Sequence, residues 1–386
     1  MVVNVASVTS AHPLELAREL ANRGRLGTYY TAVPKTRTPR VPSARVKRHL
    51  SLLPAIWVSM RPWSEPFRDP LFWRVNHEFD RWIASHLTAC DVQHFLPGCG
   101  LKTLRTARKQ FDALTVCDTT TGHIRTASDI LRAEAARWKL PYTPPGAHWV
   151  NRLEAEYEES DLITAPSTFA METFIKQGVP RRKLALTAYG ADLADYSPVA
   201  KEDETFRILF VGALTFRKGL QYLVEAMNGL KFRNAELVLR GVSASDTATL
   251  LAQYRGVVPL RIVDSVPKSM MKWLYSQASV LILPSVEDAF GLVIGQAMAC
   301  GVPVIASTQT GGPDMITDGI DGYIVRAGDS EAIAERLTQL YENPDDRSRM
   351  QAAALRRVQA LGGWKEYGSA VVRAYEGAAV RLGRSA

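Results

Sequence analysis

Short apolar runs and helically spaced apolar positions alternate along the whole chain. Residues 2–8, 26–30, 92–95, 114–118 and 162–165 read as buried strands. Between them, residues 13–23, closed by Gly24, and residues 72–87 carry apolar side chains at helical spacing, the latter through Phe72, Val75, Phe79, Trp82, Ile83 and Leu87. An acid-rich helix is expected over 153–160, and Ser167 is placed to cap another over 169–177. The polar, aperiodic stretch 196–205 reads as an interdomain linker. A second series then begins: strands over 207–211, 235–239, 280–283 and 303–306, with helices over 220–227, 269–276 and 292–300. Helices over 330–341, 347–361 and 364–382 close the chain. Strands alternating with helices predict an α/β fold with parallel sheets. The 386 residues suit two domains, divided here as 1–196 and 197–364.

Two stretches concentrate polar groups where a strand gives way to a helix. In the first, the strand at 280–283 runs into Pro284-Ser285-Val286-Glu287-Asp288-Ala289-Phe290-Gly291, and a helix follows from Leu292 to Cys300. In open parallel sheets ligands bind at the carboxyl ends of strands, and a helix N-terminus there offers free N–H groups and the positive end of its dipole. In the second, the strand ending at Gly212 is followed by Arg217 and Lys218, just before a helix that starts at Gly219. Two cations beside free backbone N–H groups suit a diphosphate. Neither half opens with a GxGxxG turn. The first strand is followed by Thr9-Ser10-Ala11-His12-Pro13, which argues against an ordinary dinucleotide site.

The formal net charge of +8 is unevenly spread. Residues 1–190 hold 26 Lys and Arg against 17 Asp and Glu, whereas the remainder holds 21 against 22. The densest basic segment is Lys35, Arg37, Arg40, Arg45, Lys47 and Arg48. It is interrupted by Pro34, Pro39 and Pro42, which argue for a mobile loop rather than a helix. Leu50, Leu52, Leu53, Ile56, Trp57 and Trp63 follow. That combination suits either a solvated loop leading into a core helix or an anionic lipid surface. No nucleic-acid-binding signature is present, so nucleic acid is not expected as a partner. No apolar run approaches the roughly 18–20 residues of a membrane span. No signal peptide is visible, and Cys90, Cys99, Cys117 and Cys300 lack CxxC spacing. These point to a cytoplasmic protein with reduced thiols and no zinc site, peripheral to the membrane if the basic segment binds lipid.

Taken together, the Arg217-Lys218-Gly219 turn and the stretch from Pro284 through Ala297-Met298-Ala299-Cys300-Gly301-Val302-Pro303-Val304-Ile305-Ala306-Ser307 resemble glycosyltransferase family 4. Further likeness lies in Pro166-Ser167, Gly178-Val179-Pro180, Tyr189-Gly190-Ala191-Asp192 and Thr310-Gly311-Gly312-Pro313-Asp314. It is weakest over 30–110. The resemblance implies GT-B architecture: two Rossmann-like domains facing each other across a cleft, with the helix at 365–386 crossing back to the N-terminal domain. It also implies a retaining enzyme that uses a nucleotide-diphosphate sugar, UDP- or GDP-linked, without a metal or other cofactor. The donor pocket would be built from Gly212, Arg217, Lys218, Gly219, Arg240, Val266, Glu287, Asp288, Ala289, Phe290, Gly291, Leu292 and Gln296. The family's motif has two glutamates eight positions apart. Counting from Phe290-Gly291 puts Asp288 and Gln296 in their places. Asp288 would meet sugar hydroxyls, and Gln296 would accept a ribose hydrogen bond without a charge.

On the acceptor side the resemblance points to His123, near the transferred sugar. Asp118 would orient His123 or touch the acceptor. His12 is a weaker candidate, and His94 reads as core. The expected chemistry is front-side transfer to a hydroxyl of a carbohydrate or lipid-linked acceptor, in polysaccharide, glycolipid or glycoconjugate synthesis, with Arg217 and Lys218 neutralising the departing diphosphate. Asp288, His123 and Asp118 complete the candidate catalytic set. The alternatives are an epimerase or hydrolase of the same fold and a non-catalytic nucleotide-sugar-binding homologue.

Overall fold

A computed structural model of the chain describes residues 1–9, 12–59, 65–264 and 266–384, without the side chains of 65–68. Ser10, Ala11 and Trp63 of the reading above, and the last two residues of the tail helix, lie outside these. The apolar runs become the strands of two parallel sheets. In the first, β1 (Val3–Ser7), β2 (Leu26–Thr31), β3 (Val46–Arg48), β4 (Val92–Phe95), β5 (Leu114–Asp118), β6 (Leu162–Ala165) and β7 (Leu184–Leu186) stand in the order β3-β2-β1-β4-β5-β6-β7. In the second, β8 (Phe206–Val211), β9 (Ala235–Arg240), β10 (Leu260–Val263), β11 (Val280–Leu283), β12 (Val304–Ser307) and β13 (Gly322–Val325) stand in the order β10-β9-β8-β11-β12-β13. β1, β4, β5, β8 and β11 are buried at every position, as strands covered by helices on both faces must be. The strand order reverses between β1 and β4, and again between β8 and β11. Each reversal opens a crevice at the carboxyl ends of the strands.

The helices of the first unit are α1 (His12–Asn22), α2 (Leu53–Ser59), α3 (Glu65–His86), α4 (Leu101–Phe111), α5 (Ile124–Trp138), α6 (Ala147–Glu159) and α7 (Thr168–Lys176). Those of the second are α8 (Leu220–Asn228), α9 (Thr247–Leu251), α10 (Lys268–Ser276), α11 (Leu292–Ala299), α12 (Gly312–Met315), α13 (Ser330–Glu342) and α14 (Pro344–Leu361). Ser167 Oγ caps α7 by accepting from Ala170 N–H at 3.0 Å. The last helix, α15 (Trp364–Arg381), packs against α1 and against β5 and β6 of the first sheet. The chain passes between the units at Gly190-Ala191 and returns beside it at Gly363, where the two backbones pair. A Cβ on Gly190 would lie 2.2 Å from the Gly363 carbonyl carbon, so this close passage needs glycine.

The basic segment forms no α-helix, in keeping with its prolines, but it carries short regular turns. Residues 35–37 and 43–45 form single 3₁₀ turns with Pro34 and Pro42 at their N-caps, positions that need no intrahelical N–H donor. Val46–Arg48 then joins β2 as a parallel edge strand. Of the apolar residues beyond, Leu52 and Ile56 are core, while Leu50 and Trp57 are exposed.

A second departure concerns α5, which the sequence reading passed over. It starts in the first unit, but its far end lies in the core of the second: Ala135 and Leu140 belong to the cluster built on Phe210, Leu220 and Tyr222. Trp138 meets Tyr222 edge-on at 5.5 Å between ring centroids, and Tyr142 meets Phe216 at 6.3 Å. Gln221 Nε2 donates to Glu134 Oε1 at 2.9 Å. Aromatic pairs of this kind each contribute about 0.5–1.5 kcal/mol beyond burial.

Candidate functional site

The crevice between β8 and β11 is lined by the two stretches that stood out in sequence. After β8, Gly212 turns with φ 156°, and Phe216–Lys218 form one 3₁₀ turn. Gly219 then adopts the left-handed region (φ 75°) and starts α8. Here glycine is required twice over, because a Cβ would also lie 2.0 Å from the Pro284 carbonyl oxygen. The turn is thereby pressed against the loop after β11. Val286 and Glu287 N–H groups donate to the Arg217 carbonyl at 3.0 and 3.4 Å. Phe216 N–H donates to Asp246 Oδ2 at 2.6 Å, which anchors the start of the turn.

The charged side chains of the two loops pair with each other. Arg217 Nη1 donates to Glu287 Oε2 at 2.9 Å and to the Glu287 carbonyl at 3.0 Å. Lys218 Nζ donates to Asp288 Oδ2. Glu287 is nearly buried, whereas Lys218 and Asp288 each keep 14% of their side-chain surface and Arg217 keeps 37%. The Lys218–Asp288 contact is one that an incoming anion can exchange, and Arg217 has N–H donors beyond the one on Glu287. Ala289 and Phe290 are buried, and Ala289 belongs to the core cluster of the first unit. Gly291 (φ 77°) caps α11, and Leu292 is exposed beyond it. Val266 is half-buried against the core after β10, and Arg240 ends β9 with its Nε unpaired.

Gln296 already accepts one hydrogen bond. Its Oε1 takes the Tyr275 O–H at 2.8 Å, and Tyr275 is fully buried, which pushes its phenol well up and keeps it protonated. With the carbonyl engaged, the amide has its N–H₂ left for a ligand. Tyr275 was not singled out in sequence. It sits on α10, 21 residues before Gln296, and reads there as an ordinary core aromatic.

Across the cleft, Asp118 does not orient His123. Asp118 is 1% exposed at the end of β5, and Oδ2 takes His12 Nε2 at 2.6 Å and His94 Nε2 at 3.0 Å. Oδ1 takes Thr164 O–H at 2.7 Å. Burial alone would raise this carboxyl, but the two imidazoles outweigh it and hold it well below the usual range. The physical reason is topological: β1, β4, β5 and β6 lie side by side, so the neighbours of Asp118 come from β4, β6 and the start of α1 after β1 rather than from the next turn of its own loop. His94 is buried as expected. It is also a working member of this network, since its Nδ1 takes the Tyr375 O–H of α15 at 2.8 Å. His12 stacks on Tyr189 at 4.3 Å, and Tyr189 in turn meets Phe290 edge-on at 5.1 Å.

His123 is the N-cap of α5. Its ring Nδ1 accepts Arg125 N–H at 3.3 Å, and its own N–H donates to Thr173 Oγ1 at 2.7 Å. Burial lowers its pKa from 6.5, so the ring is neutral at pH 7. With Nδ1 accepting, the proton sits on Nε2, which can donate a hydrogen bond but not take a proton. Hydrogen bonds near His123 and α7 also join this side to the second unit. Gly122 N–H donates to Glu287 Oε1 at 3.4 Å. Thr168 N–H and O–H both donate to Asp314, the N–H at 2.9 Å. Among the described residues no group of three or more His, Cys, Asp or Glu could hold a metal ion, and no helix is long and apolar enough to cross a membrane.

This is the GT-B arrangement of two doubly wound units with a charged crevice between them. Residues 195–357 match the family model of glycosyl transferases group 1. It is 29% identical over 202 residues to the putative colanic acid biosynthesis glycosyltransferase WcaL of Escherichia coli, across 49% of this chain and 50% of that protein. It is 29% identical over 243 residues to the D-inositol 3-phosphate glycosyltransferase of Xylanimonas cellulosilytica, across 58% of each. The chain thus spans only half to three-fifths of these curated relatives. Among solved structures it resembles sucrose-phosphate synthase from Thermosynechococcus elongatus, with a TM-score of 0.69 at 19% identity over 97% of this chain and 98% of that one. It also resembles Anabaena HepE in complex with UDP and glucose, with a TM-score of 0.68 at 13% identity over 97% and 98%.

Proposed function

We propose that this chain is a retaining glycosyltransferase that moves a sugar from a nucleotide-diphosphate sugar to a hydroxyl of a carbohydrate or lipid-linked acceptor. The observation that carries this reading is the turn at Arg217-Lys218. Two cations stand at the N-terminus of α8, beside the switch point of a parallel sheet; Lys218 is held by an acid that a diphosphate can replace, and Arg217 has N–H donors beyond the one on Glu287. HepE, which shares the fold, was solved with UDP and with UDP-glucose, and this favours a UDP-linked donor over a GDP-linked one. The name of WcaL favours polysaccharide synthesis.

In the reaction the acceptor oxygen bonds to the anomeric carbon while the bond from that carbon to the phosphate oxygen breaks. The diphosphate leaves with the bonding electrons and takes the acceptor's proton. Arg217 and Lys218 neutralise the charge that develops on it, and the positive end of the α8 dipole at Gly219 assists. This supplies from side chains the charge that a metal would otherwise provide. Lys218 exchanges Asp288 for phosphate, which frees Asp288 to accept from sugar hydroxyls. Gln296, held by Tyr275, donates to a ribose oxygen. His123 donates from Nε2 to a sugar hydroxyl. The exposed Trp57 and Leu50 beside the basic segment 35–48 suit an anionic bilayer, and we place the protein at the cytoplasmic face of a membrane.

A thermal-shift screen with UDP-, GDP-, ADP- and TDP-sugars tests the donor. At 100 times its Kd a ligand adds about 2.7 kcal/mol of stability, and UDP-sugars should give the largest shift. The anomeric configuration of the product, read by NMR, tests retention. Sugar release at full rate without any acceptor would instead mark a hydrolase.

A further inference from the structure

We propose that Glu287 is a positioning residue that couples occupation of the Arg217-Lys218 turn to the placement of His123 across the cleft. The proposal rests on the reading of that turn as the diphosphate site. Glu287 is 2% exposed, and its two carboxylate oxygens serve different domains. Oε2 holds Arg217 Nη1 at 2.9 Å, and Oε1 takes Gly122 N–H at 3.4 Å. Gly122 directly precedes His123, the N-cap of α5, and has little room to move, since a Cβ there would lie 3.0 Å from Thr173 Oγ1.

The other end of α5 reaches the same turn. Phe216, which opens the turn, meets Tyr142, and Tyr222, in the first turn of α8, meets Trp138 and lies 5.6 Å from the Arg137 guanidinium. A 15-residue helix spans about 22 Å and moves as a rod. The phosphate turn therefore grips α5 at both ends, by aromatic contacts at one and by a single carboxylate at the other. Arginine carries five N–H donors, so Arg217 can keep Glu287 on Nη1 while its remaining donors face an anion. An anion that fixes Arg217 thereby fixes Glu287, and through it the backbone at Gly122 and His123.

The carboxylate also has an opposing effect. Its negative charge partly neutralises Arg217 and weakens anion binding. Glu287→Gln should separate the two roles, with pyrophosphate as a probe that needs no knowledge of base or sugar. In the unaltered protein, pyrophosphate should slow amide hydrogen exchange over residues 122–127 several-fold. In Glu287→Gln, pyrophosphate should bind about threefold more tightly by calorimetry, while the change in exchange at 122–127 disappears. A loss of fold or packing would weaken binding rather than tighten it. Should Glu287→Gln fail to fold, Glu287→Asp keeps the charge on Arg217 but is one methylene short of Gly122. It should show no threefold gain in pyrophosphate binding and lose the response at 122–127.

Exchange at 122–127 that still responds in either folded variant overturns the coupling, as does weaker pyrophosphate binding by Glu287→Gln. Lys218→Ala keeps the two ideas apart. If it binds pyrophosphate undiminished, or if the unaltered protein binds none, the diphosphate reading itself falls and the coupling with it.

Discussion

At the carboxyl ends of the first sheet's strands, Asp118 lies sealed between His12, His94 and Thr164, with 1% of its surface exposed. At the facing ends of the second, Glu287 and Asp288 meet Arg217 and Lys218, whose side chains keep 37% and 14% of their surface. Both regions sit beside a switch point and both pair carboxylates with bases. The first has its partners supplied from β4, β6, the start of α1 and, behind His94, α15, and its carboxyl is held well below the ordinary range. The second is paired across a crevice, with Lys218 on a contact a ligand can take over and Arg217 keeping donors for one. The difference separates a polar group that holds a fold from one that can do chemistry: accessibility of the partners decides it, not residue type.

The sharpest way to break this contrast is Asp118→Ala. Removing the carboxylate leaves two buried imidazoles without their partner, which should cost about 3–5 kcal/mol in chemical denaturation. A variant that folds as stably as the parent yet has lost turnover would move Asp118 into the working site. Next comes Gly219→Ala. Its left-handed backbone and its contact with Pro284 should cost about 1–3 kcal/mol locally and weaken nucleotide binding, while the far edge of the second sheet keeps its amide protection. Unchanged nucleotide affinity would detach the turn from the site.

His123 sharpens the comparison through pH. Its folded pKa lies below 6.5, so the unfolded chain binds the proton more readily. Its contribution to stability is complete above about pH 6.5 and is lost as pH falls through 6.5 toward the lower folded value. The first amides of α5 should lose exchange protection in that window, because a protonated Nδ1 cannot accept from Arg125. Flat protection from pH 7 down to 5 would contradict the assignment. The smallest effect is expected for Trp57→Ala, which should reduce flotation with anionic vesicles and leave the fold unchanged. Equal binding to neutral vesicles would remove lipid charge from the account.

How much of this was legible depended on the range of the interactions. The two charged turns are local signals, a strand end followed by polar residues and a glycine, and the structure brings them together without altering either. The environment of Asp118 is non-local, since His94 and Tyr375 lie 281 residues apart. Only strand order makes them neighbours, so sequence proximity pointed wrongly to His123. α5 was overlooked although Ile124, Ala127, Leu131, Ala135 and Trp138 follow helical spacing, because arginines and alanines dilute the stripe. β3, β7, β10 and β13 were also passed over. Each is three or four residues long and lies at or next to a sheet edge, where partial exposure breaks the continuous apolar run that marks the central strands. Gln296 could be placed by counting, but the Tyr275 hydroxyl that sets its polarity could not.

The central claim is that the cationic turn holds a donor's diphosphate. Calorimetric titration of UDP into the parent protein and Lys218→Ala tests it most directly. The account predicts at least a tenfold loss of affinity in the variant, about 1.4 kcal/mol, with the melting temperature of the free protein unchanged. Equal affinity in the two proteins would contradict it.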